Sequence, residues 1–226
     1  MDKYKALIFD LDGTLTDSLQ DLWLSTNHAL QTMGWPTRTL DEVRQFVGNG
    51  VHLLIERAVP QGTSTQAIEN CFQEFRSHYV KHCMDHTAPY PGIKDLLKKL
   101  DAEGYLMAIV SNKLQAGVSV MHKQHFMPYV KVAIGEHPGV HHKPAPDMVI
   151  EAMNLLGVKV EEAIYIGDSD VDIATAKASG LPCISVLWGF RDKDFLLQHG
   201  ASIFAEKPSD IIEIIKNKSS IMTPSA

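Results

Sequence analysis

Apolar positions follow two spacings that alternate along much of this chain. The run Ala6–Phe9 is apolar without interruption, which is typical of a strand buried on both faces of a parallel sheet. After residue 92, similar short runs alternate with segments that have the apolar period of an amphipathic helix. The short runs predict further strands at 106–110, 130–135, 163–166, 182–187 and 202–204. The helical spacing predicts helices around 93–100, 115–123, 146–156, 174–178 and 209–215.

Residues 17 to about 85 show only the helical spacing. Helices are predicted from Leu19 to Met33, from Thr39 to Val47, around Leu53 to Arg57, and through Ile68 to Tyr79. Thr39 with Glu42 three residues later has the pattern of a capping box, which marks the start of a helix. The sequence Thr87-Ala88-Pro89-Tyr90-Pro91-Gly92, with two prolines and a glycine, then predicts a stiff connector.

This order of elements predicts an α/β protein with two domains. Alternating strands and helices favour a doubly wound, Rossmann-like parallel sheet with helices on both faces. The helical block interrupts that series after the first strand, so we interpret it as an inserted all-helical cap domain. The predicted boundaries are 1–15 and 90–216 for the catalytic core, 16–89 for the cap domain and 217–226 for a solvated tail.

Composition narrows the function classes. The chain of 226 residues has a formal net charge of −6 and no run of Lys or Arg, so nothing favours binding to nucleic acid or to a membrane surface. The three cysteines are widely spaced, which predicts no disulfide framework and fits a reducing cytoplasm. No apolar run is long enough for a membrane span. We therefore expect a cytoplasmic enzyme or binding protein, as a monomer or a homodimer.

Polar residues follow several of the predicted strands. Asp10 and Asp12 come directly after the first strand, Ser111 follows the next, and Asp168 follows the strand at 163–166. Lys143 lies in the loop after a further strand. Because ligands of open parallel sheets bind beyond the carboxyl ends of the strands, these side chains are expected at one edge. Carboxylates suit a hard cation, and a hydroxyl with an ammonium suits a phosphoryl group.

These residues also carry a family resemblance. The chain resembles the haloacid dehalogenase-like hydrolase superfamily through four motifs in the family's order: Asp10-Leu11-Asp12-Gly13-Thr14, Ser111-Asn112-Lys113, Lys143-Pro144-Ala145-Pro146, and Gly167-Asp168-Ser169-Asp170-Val171-Asp172. The spacing between the motifs is similar to that of members with a small helical cap. The resemblance covers the whole core.

The resemblance implies a phosphoryl-transfer mechanism. Asp10 would be the nucleophile that forms an aspartyl-phosphate, and Asp12 would be the general acid and base. The implied Mg²⁺ ion would be held by Asp10, by the backbone carbonyl of Asp12, and by Asp168 with support from Asp172. The implied phosphate-binding residues are Gly13, Thr14, Ser111, Asn112 and Lys143.

The resemblance also narrows the chemistry. An acid two residues after the nucleophile is found in the phosphotransferases and is missing from the dehalogenase and phosphonate-cleaving branches, so Asp12 favours a phosphatase or a mutase. Within the phosphatases, Phe46-Val47-Gly48-Asn49-Gly50-Val51 is similar to phosphoglycolate phosphatases. There the loop Gly48-Asn49-Gly50 and Arg57 would contact the substrate.

The expected activity is therefore Mg²⁺-dependent hydrolysis of a small phosphorylated metabolite, with 2-phosphoglycolate as the leading substrate. Alternatives on the same fold are a β-phosphoglucomutase, a pyrophosphatase, and a nucleotide or sugar-phosphate phosphatase. An alternative of another class is a catalytically silent binding module.

His78, His82 and His86 share one helical face, which we interpret as a polar surface rather than a metal site.

Overall fold

The computed structural model describes residues 4–217 of the chain. The described residues group into two compact units, an α/β unit made of those up to Leu15 and those from Pro89 onward, and a helical unit, Thr16–Ala88. Of the predicted tail 217–226, all residues except Asn217 lie outside the described part of the chain.

The strands are β1 (Ala6–Phe9), β2 (Thr16–Asp17), β3 (Ala88–Pro89), β4 (Leu106–Leu114), β5 (Val132–Glu136), β6 (Ala163–Gly167), β7 (Cys183–Val186) and β8 (Phe204–Ala205). The helices are α1 (Leu19–Thr32), α2 (Leu40–Phe46), α3 (Val51–Ala58), α4 (Thr65–His82), α5 (Ile93–Ala102), α6 (Gln115–Met121), α7 (Asp147–Leu156), α8 (Asp170–Ala178), α9 (Lys193–Gln198) and α10 (Asp210–Lys216). A π-helical turn, His122–Phe126, and a 3₁₀ turn, Val160–Glu162, complete the series.

Within residues 4–217, six strands form a parallel sheet in the order β5-β4-β1-β6-β7-β8. This order confirms the predicted doubly wound fold, because the chain first adds strands on one side of β1 and then on the other. Phe9 at the end of β1 pairs with Ile109 of β4 and with Ile166 of β6. The switch point of the sheet therefore lies between β1 and β6, where such folds bind their ligands.

The uninterrupted apolar character of β1 follows from its place at the centre of the sheet. All of its residues are fully buried. One face of the sheet packs Ile8, Val110 and Tyr165 against apolar residues of α7, among them Val149 and Ala152. A central strand covered on both faces needs apolar side chains at every position, which is why alternation is missing from its sequence.

Three details of the α/β unit differ from the sequence prediction. Strand β4 does not end at Val110 but continues to Leu114, with a register shift between those two residues against β5. The polar residues there interrupt the apolar pattern without interrupting the strand. Helix α9 was not predicted, since six residues are too short for a clear helical period. The last strand is β8, Phe204–Ala205, rather than 202–204.

The helical unit matches the predicted helices to within a few residues. The capping box at the start of α2 is confirmed: the Thr39 side chain accepts from the backbone N–H of Glu42, and the Glu42 carboxylate accepts from the backbone N–H of Thr39. The buried Asp21 carboxylate of α1 accepts hydrogen bonds from the backbone N–H groups of His86 and Thr87 and from the Thr87 hydroxyl. Asp21 therefore fixes the segment after α4 to α1. No helix of the described residues is long and apolar enough to cross a membrane.

Candidate active site

Asp10 lies at the carboxyl end of β1, at the switch point of the sheet. Its backbone N–H donates to the carbonyl of Ile166 at 2.9 Å, which extends the pairing of β1 with β6 by one position. The chain then turns at once, because the backbone N–H of Leu15 donates to the carbonyl of Leu11 at 2.9 Å. The sheet therefore fixes the backbone of Asp10, and the turn that follows places Asp12 and Gly13 beyond the strand.

A buried ammonium joins the acids of this edge. Lys143 Nζ lies 2.6 Å from Asp10 Oδ1 and 2.8 Å from Asp172 Oδ1. It also lies 3.1 Å from the hydroxyl of Tyr165, which in turn donates to Asp172 Oδ1 at 3.1 Å. Sequence reasoning missed Tyr165, since a tyrosine within an apolar strand gives no sign that its hydroxyl reaches a polar partner.

Burial and charge act on these groups in opposite directions. Burial raises the pKa of Asp10 well above its usual value, although the charge of Lys143 lowers it. Burial alone would lower the pKa of Lys143, but the carboxylates of Asp10 and Asp172 raise it well above its usual value. Lys143 is therefore a permanent cation, and its presence favours the ionised form of Asp10 that a nucleophile requires.

Asp168 and Asp172 are held by the start of α8 and by neighbouring loops. Asp172 Oδ2 accepts from the backbone N–H and the hydroxyl of Ser169, at 3.1 and 2.7 Å. Asp168 accepts from the backbone N–H of Phe190 at 2.7 Å and from the Thr14 hydroxyl at 3.2 Å. Burial, with the charge of Asp172 as the second cause, raises the pKa of Asp168 to about 7. A cation at this position would favour its ionised form.

Two glycines allow the backbone to approach Asp168 closely. Gly13 has φ +92°, and a Cβ atom there would lie 2.7 Å from Asp168 Cγ. A Cβ atom on Gly189 would lie 2.5 Å from the carbonyl oxygen of Gly13 and 2.6 Å from Asp168 Oδ2. Real Cβ atoms do not make such contacts, so both positions require glycine. Gly13 was predicted from its motif, whereas Gly189 was not.

The arrangement of the acids suits a metal ion. Among the described residues, Asp10, Asp168 and Asp172 form the one group in which three or more potential ligand atoms lie within 4.8 Å of one another. All three side chains are buried, so their mutual repulsion is poorly screened by water. Hard divalent cations prefer such carboxylate oxygens. The residues therefore fit the metal that the sequence analysis expects.

Ser111 and Asn112 lie within β4, next to β1, and both are buried. The side chain of Asn112 forms a reciprocal pair with the backbone of Lys143: its Oδ1 accepts from the N–H of Lys143 at 2.8 Å, and its Nδ2 donates to the carbonyl at 3.0 Å. The Ser111 hydroxyl accepts from the backbone N–H of Lys113 at 3.2 Å. Asn112 thus fixes the backbone that carries the Lys143 ammonium.

Asp12 forms an ion pair with Lys113, which belongs to one of the four sequence motifs but has no predicted role. Lys113 Nζ lies 3.1 Å from Asp12 Oδ1 and 3.2 Å from Asp12 Oδ2. The Lys113 side chain is 4% exposed and that of Asp12 is 17% exposed. The available signal was a lysine at the end of a buried strand, where an ammonium needs a partner.

The predicted substrate-contacting residues of the helical unit form a small network of their own. Gly50, with φ +86°, precedes the first residue of α3. The guanidinium of Arg57 donates to the carbonyl of Phe46 at 2.8 Å and to Asn49 Oδ1 at 3.1 Å. Arg57 therefore holds the loop that contains Gly48, and this support was not predicted.

The histidine surface of the helical unit differs from the sequence interpretation in its members. The rings of His78 and His82 stack with centroids 4.3 Å apart, as their spacing predicts. The third ring of the stack belongs to His28 of α1, 4.1 Å from His78. His86 lies beyond the end of α4, so the helical spacing does not extend to it.

The family model described as haloacid dehalogenase-like hydrolase matches residues 7–186. A phosphoglycolate phosphatase of Aquifex aeolicus is 30% identical over 94% of this chain and 97% of its own length. One of Pseudomonas syringae pv. tomato is 31% identical over 94% of this chain and 77% of its own length. A crystal structure from Lactobacillus delbrueckii subsp. bulgaricus, provisionally assigned as a phosphoglycolate phosphatase, has 34% identity and a TM-score of 0.91 over 95% of this chain and 99% of its own.

The fold, the site and these relatives define a hydrolytic α/β enzyme of the phosphatase class. The chain belongs to the haloacid dehalogenase-like hydrolase family, in the branch that is similar to the phosphoglycolate phosphatases.

Proposed function

We propose that this phosphatase hydrolyses a small phosphomonoester, with 2-phosphoglycolate as the leading substrate, and that Asp10 carries the phosphoryl group between ester and water. The observation that supports this most directly is the buried group at the switch point. Asp10 projects from the end of the central strand, Lys143 pairs with it at 2.6 Å, and a second carboxyl group, Asp12, follows two residues later. A nucleophile, a cation and a proton carrier are the parts that phosphoryl transfer requires.

The proposed cofactor is Mg²⁺. Asp10, Asp168 and Asp172 would hold it with their carboxylates, together with the backbone carbonyl of Asp12, and these hard oxygen ligands match its preference. When bound, the ion supplies positive charge next to the phosphoryl oxygens, where negative charge increases during transfer. The three clustered carboxylates exceed what the single ammonium of Lys143 neutralises, which leaves negative charge for a cation to balance.

The proposed reaction has two displacements at phosphorus. In the first, an Asp10 carboxylate oxygen bonds to phosphorus, the ester P–O bond breaks, and Asp12 gives its proton to the leaving oxygen. In the second, Asp12 takes a proton from water, the water oxygen bonds to phosphorus, and the bond to Asp10 breaks. Inorganic phosphate leaves, and both carboxyl groups return to their starting state.

The remaining residues bind the phosphoryl group in this proposal. Lys143 donates to its oxygens and favours the ionised form of Asp10, because its ammonium contacts both Asp10 and Asp172. The Ser111 hydroxyl, together with backbone N–H groups of Gly13, Thr14 and Asn112, completes the donor set.

Substrate choice is assigned to the helical unit as a cap domain. The support is twofold: the relatives named phosphoglycolate phosphatase cover almost the whole chain, and Arg57 orders the loop Gly48-Asn49-Gly50 through Asn49 and Phe46. A loop held in one conformation can discriminate between substrates of different size, since a misplaced contact loses binding energy.

Two assays test the proposal. Hydrolysis of 4-nitrophenyl phosphate is measured with Mg²⁺ and with EDTA, and we expect turnover only with the metal. A panel of phosphorylated metabolites is then ranked by kcat/KM, and 2-phosphoglycolate is expected first. Turnover that is equal in EDTA contradicts the metal requirement. A low rank for 2-phosphoglycolate, below a sugar phosphate, a nucleotide or pyrophosphate, contradicts the substrate assignment and leaves the reaction type standing.

A further inference from the structure

Lys113 is a buried cation for which the proposed reaction gives no role. Its ammonium contacts both oxygens of the Asp12 carboxylate, at 3.1 and 3.2 Å, and its side chain is 4% exposed. A buried ammonium persists only where a paired charge offsets the loss of hydration. Asp12 is the more exposed member of the pair, with 17% of its side chain exposed.

The surroundings of Lys113 fix its side chain along its length. Its backbone belongs to β4, where its N–H donates to the Ser111 hydroxyl. Gly117 of α6 lies against its stem: a Cβ atom there would be 3.3 Å from Lys113 Cε and 3.5 Å from both Cδ and Cγ. Because Gly117 does not have a positive φ, the backbone conformation does not require glycine there. The space taken by the lysine stem is the constraint that the structure shows.

Asp12 itself has no comparable support. Its backbone forms an isolated bridge just before the turn of residues 13–15, and its carboxylate can change direction by rotation about two side-chain bonds. A general acid must hold its proton within hydrogen-bond reach of the leaving oxygen, and a displacement of about 1 Å can lower a rate about 100-fold. The contact of Lys113 with both oxygens fixes the position of the carboxylate.

We propose that Lys113 is a positioning residue for Asp12, and that Gly117 keeps the space in which it does so. The proposal rests on the function proposed above, in which Asp12 transfers protons. In this proposal Lys113 acts on the reacting atoms through Asp12. Removing it should therefore impair the steps that need a positioned proton carrier, and should spare the steps that do not.

Two substrates with different leaving groups distinguish the steps that need the proton of Asp12 from those that do not. The parameter kcat/KM reports transfer of the phosphoryl group from the ester to Asp10. The alkoxide that leaves from 2-phosphoglycolate needs the proton of Asp12 in that step. The 4-nitrophenolate that leaves from 4-nitrophenyl phosphate does not need it. For Lys113→Met we expect kcat/KM to fall about 30- to 100-fold with 2-phosphoglycolate and less than about threefold with 4-nitrophenyl phosphate. The matched control is Lys98→Met, which removes an exposed lysine of α5 and is expected to leave both values unchanged.

A double-mutant cycle shows whether Lys113 acts through Asp12. In the background of Asp12→Asn, Lys113→Met should cause no further loss with 2-phosphoglycolate, because the group that it positions is already absent. If Lys113→Met fails to fold, Gly117→Ala takes its place, since a methyl group 3.3 Å from Cε requires the lysine stem to shift by a few tenths of an ångström while the charge remains. The same dependence on the leaving group is expected.

Each outcome decides between the proposals. If the wild-type enzyme is active and Lys113→Met lowers kcat/KM equally for both esters, the positioning role is overturned. It is also overturned if the losses caused by Lys113→Met and Asp12→Asn multiply in the double variant. A wild-type enzyme that hydrolyses neither ester in the presence of Mg²⁺ overturns the proposed function, and the positioning role with it.

Discussion

Replacing Lys143 by methionine removes the ammonium on which the buried acids depend. Asp10, Asp172 and the Tyr165 hydroxyl all lie within 3.1 Å of Lys143 Nζ, and methionine keeps the length of the stem without a donor. Breaking a buried ion pair by removing one partner costs about 3–5 kcal/mol. For a chain of this size we expect that loss to lower the melting temperature by roughly 6–20 °C.

The loss should depend on pH. The pKa of Asp10 is raised in the folded protein mainly by burial, so the stability of the fold falls as pH rises from the usual pKa of an aspartate towards the raised pKa of Asp10. Lys143 opposes this shift, and without it the pKa of Asp10 rises further. The deficit of Lys143→Met should therefore be larger at pH 8 than at pH 5.5.

Urea unfolding followed by circular dichroism measures this deficit, in EDTA so that no metal replaces the missing charge. The exposed Lys98→Met variant is the control and is expected within about 0.5 kcal/mol of wild type. Two results would refute the reasoning: a Lys143→Met protein within about 1 kcal/mol of wild type at pH 8, or a deficit that is the same at both pH values.

Two further substitutions test other parts of the account. Asp21→Asn replaces one carboxylate oxygen, which accepts hydrogen bonds from Thr87, by an amide donor. We expect it to lower the free energy of unfolding by about 2–3 kcal/mol. The control Asp41→Asn lies on the surface and should change that free energy by less than about 0.5 kcal/mol. An equal effect of the two, measured by urea unfolding, would mean that Asp21 is not an anchor. Gly189→Ala places a methyl group 2.5 Å from the carbonyl oxygen of Gly13 and should cost about 1–3 kcal/mol of stability with a loss of Mg²⁺-dependent turnover. Wild-type stability and kcat would show that this approach of the two backbones is not required.

Much of the sheet could be predicted from sequence because a central parallel strand leaves a strong signal. The run Ala6–Phe9 is apolar at every position and ends at Asp10, so both the strand and its end are visible. The rule that ligands bind at the carboxyl ends of the strands then placed Asp10 and Asp168 together, and the structure brings them within one cluster. The catalytic roles of these residues stay predictions.

The details that could not be predicted depend on tertiary contacts between residues far apart in the chain. The ion pair of Lys113 with Asp12 joins residues 101 positions apart, and nothing in their local sequence selects this partner. The continuation of β4 through Ser111 and Asn112 depends on pairing with β5 across a register shift, which the polar sequence conceals. The anchor at Asp21 looks like an ordinary acid in the first turn of a helix until tertiary structure buries it.

Chemical trapping of the intermediate tests the central claim most directly. Asp12→Asn is mixed with 4-nitrophenyl phosphate and Mg²⁺, because this ester can still phosphorylate the enzyme while the loss of the base slows hydrolysis of the intermediate. Borohydride then reduces an acyl phosphate to an alcohol, and mass spectrometry locates the change. The account predicts homoserine at Asp10 and none in the Asp10→Asn, Asp12→Asn double variant. Stoichiometric release of 4-nitrophenolate with an unmodified Asp10 would contradict it.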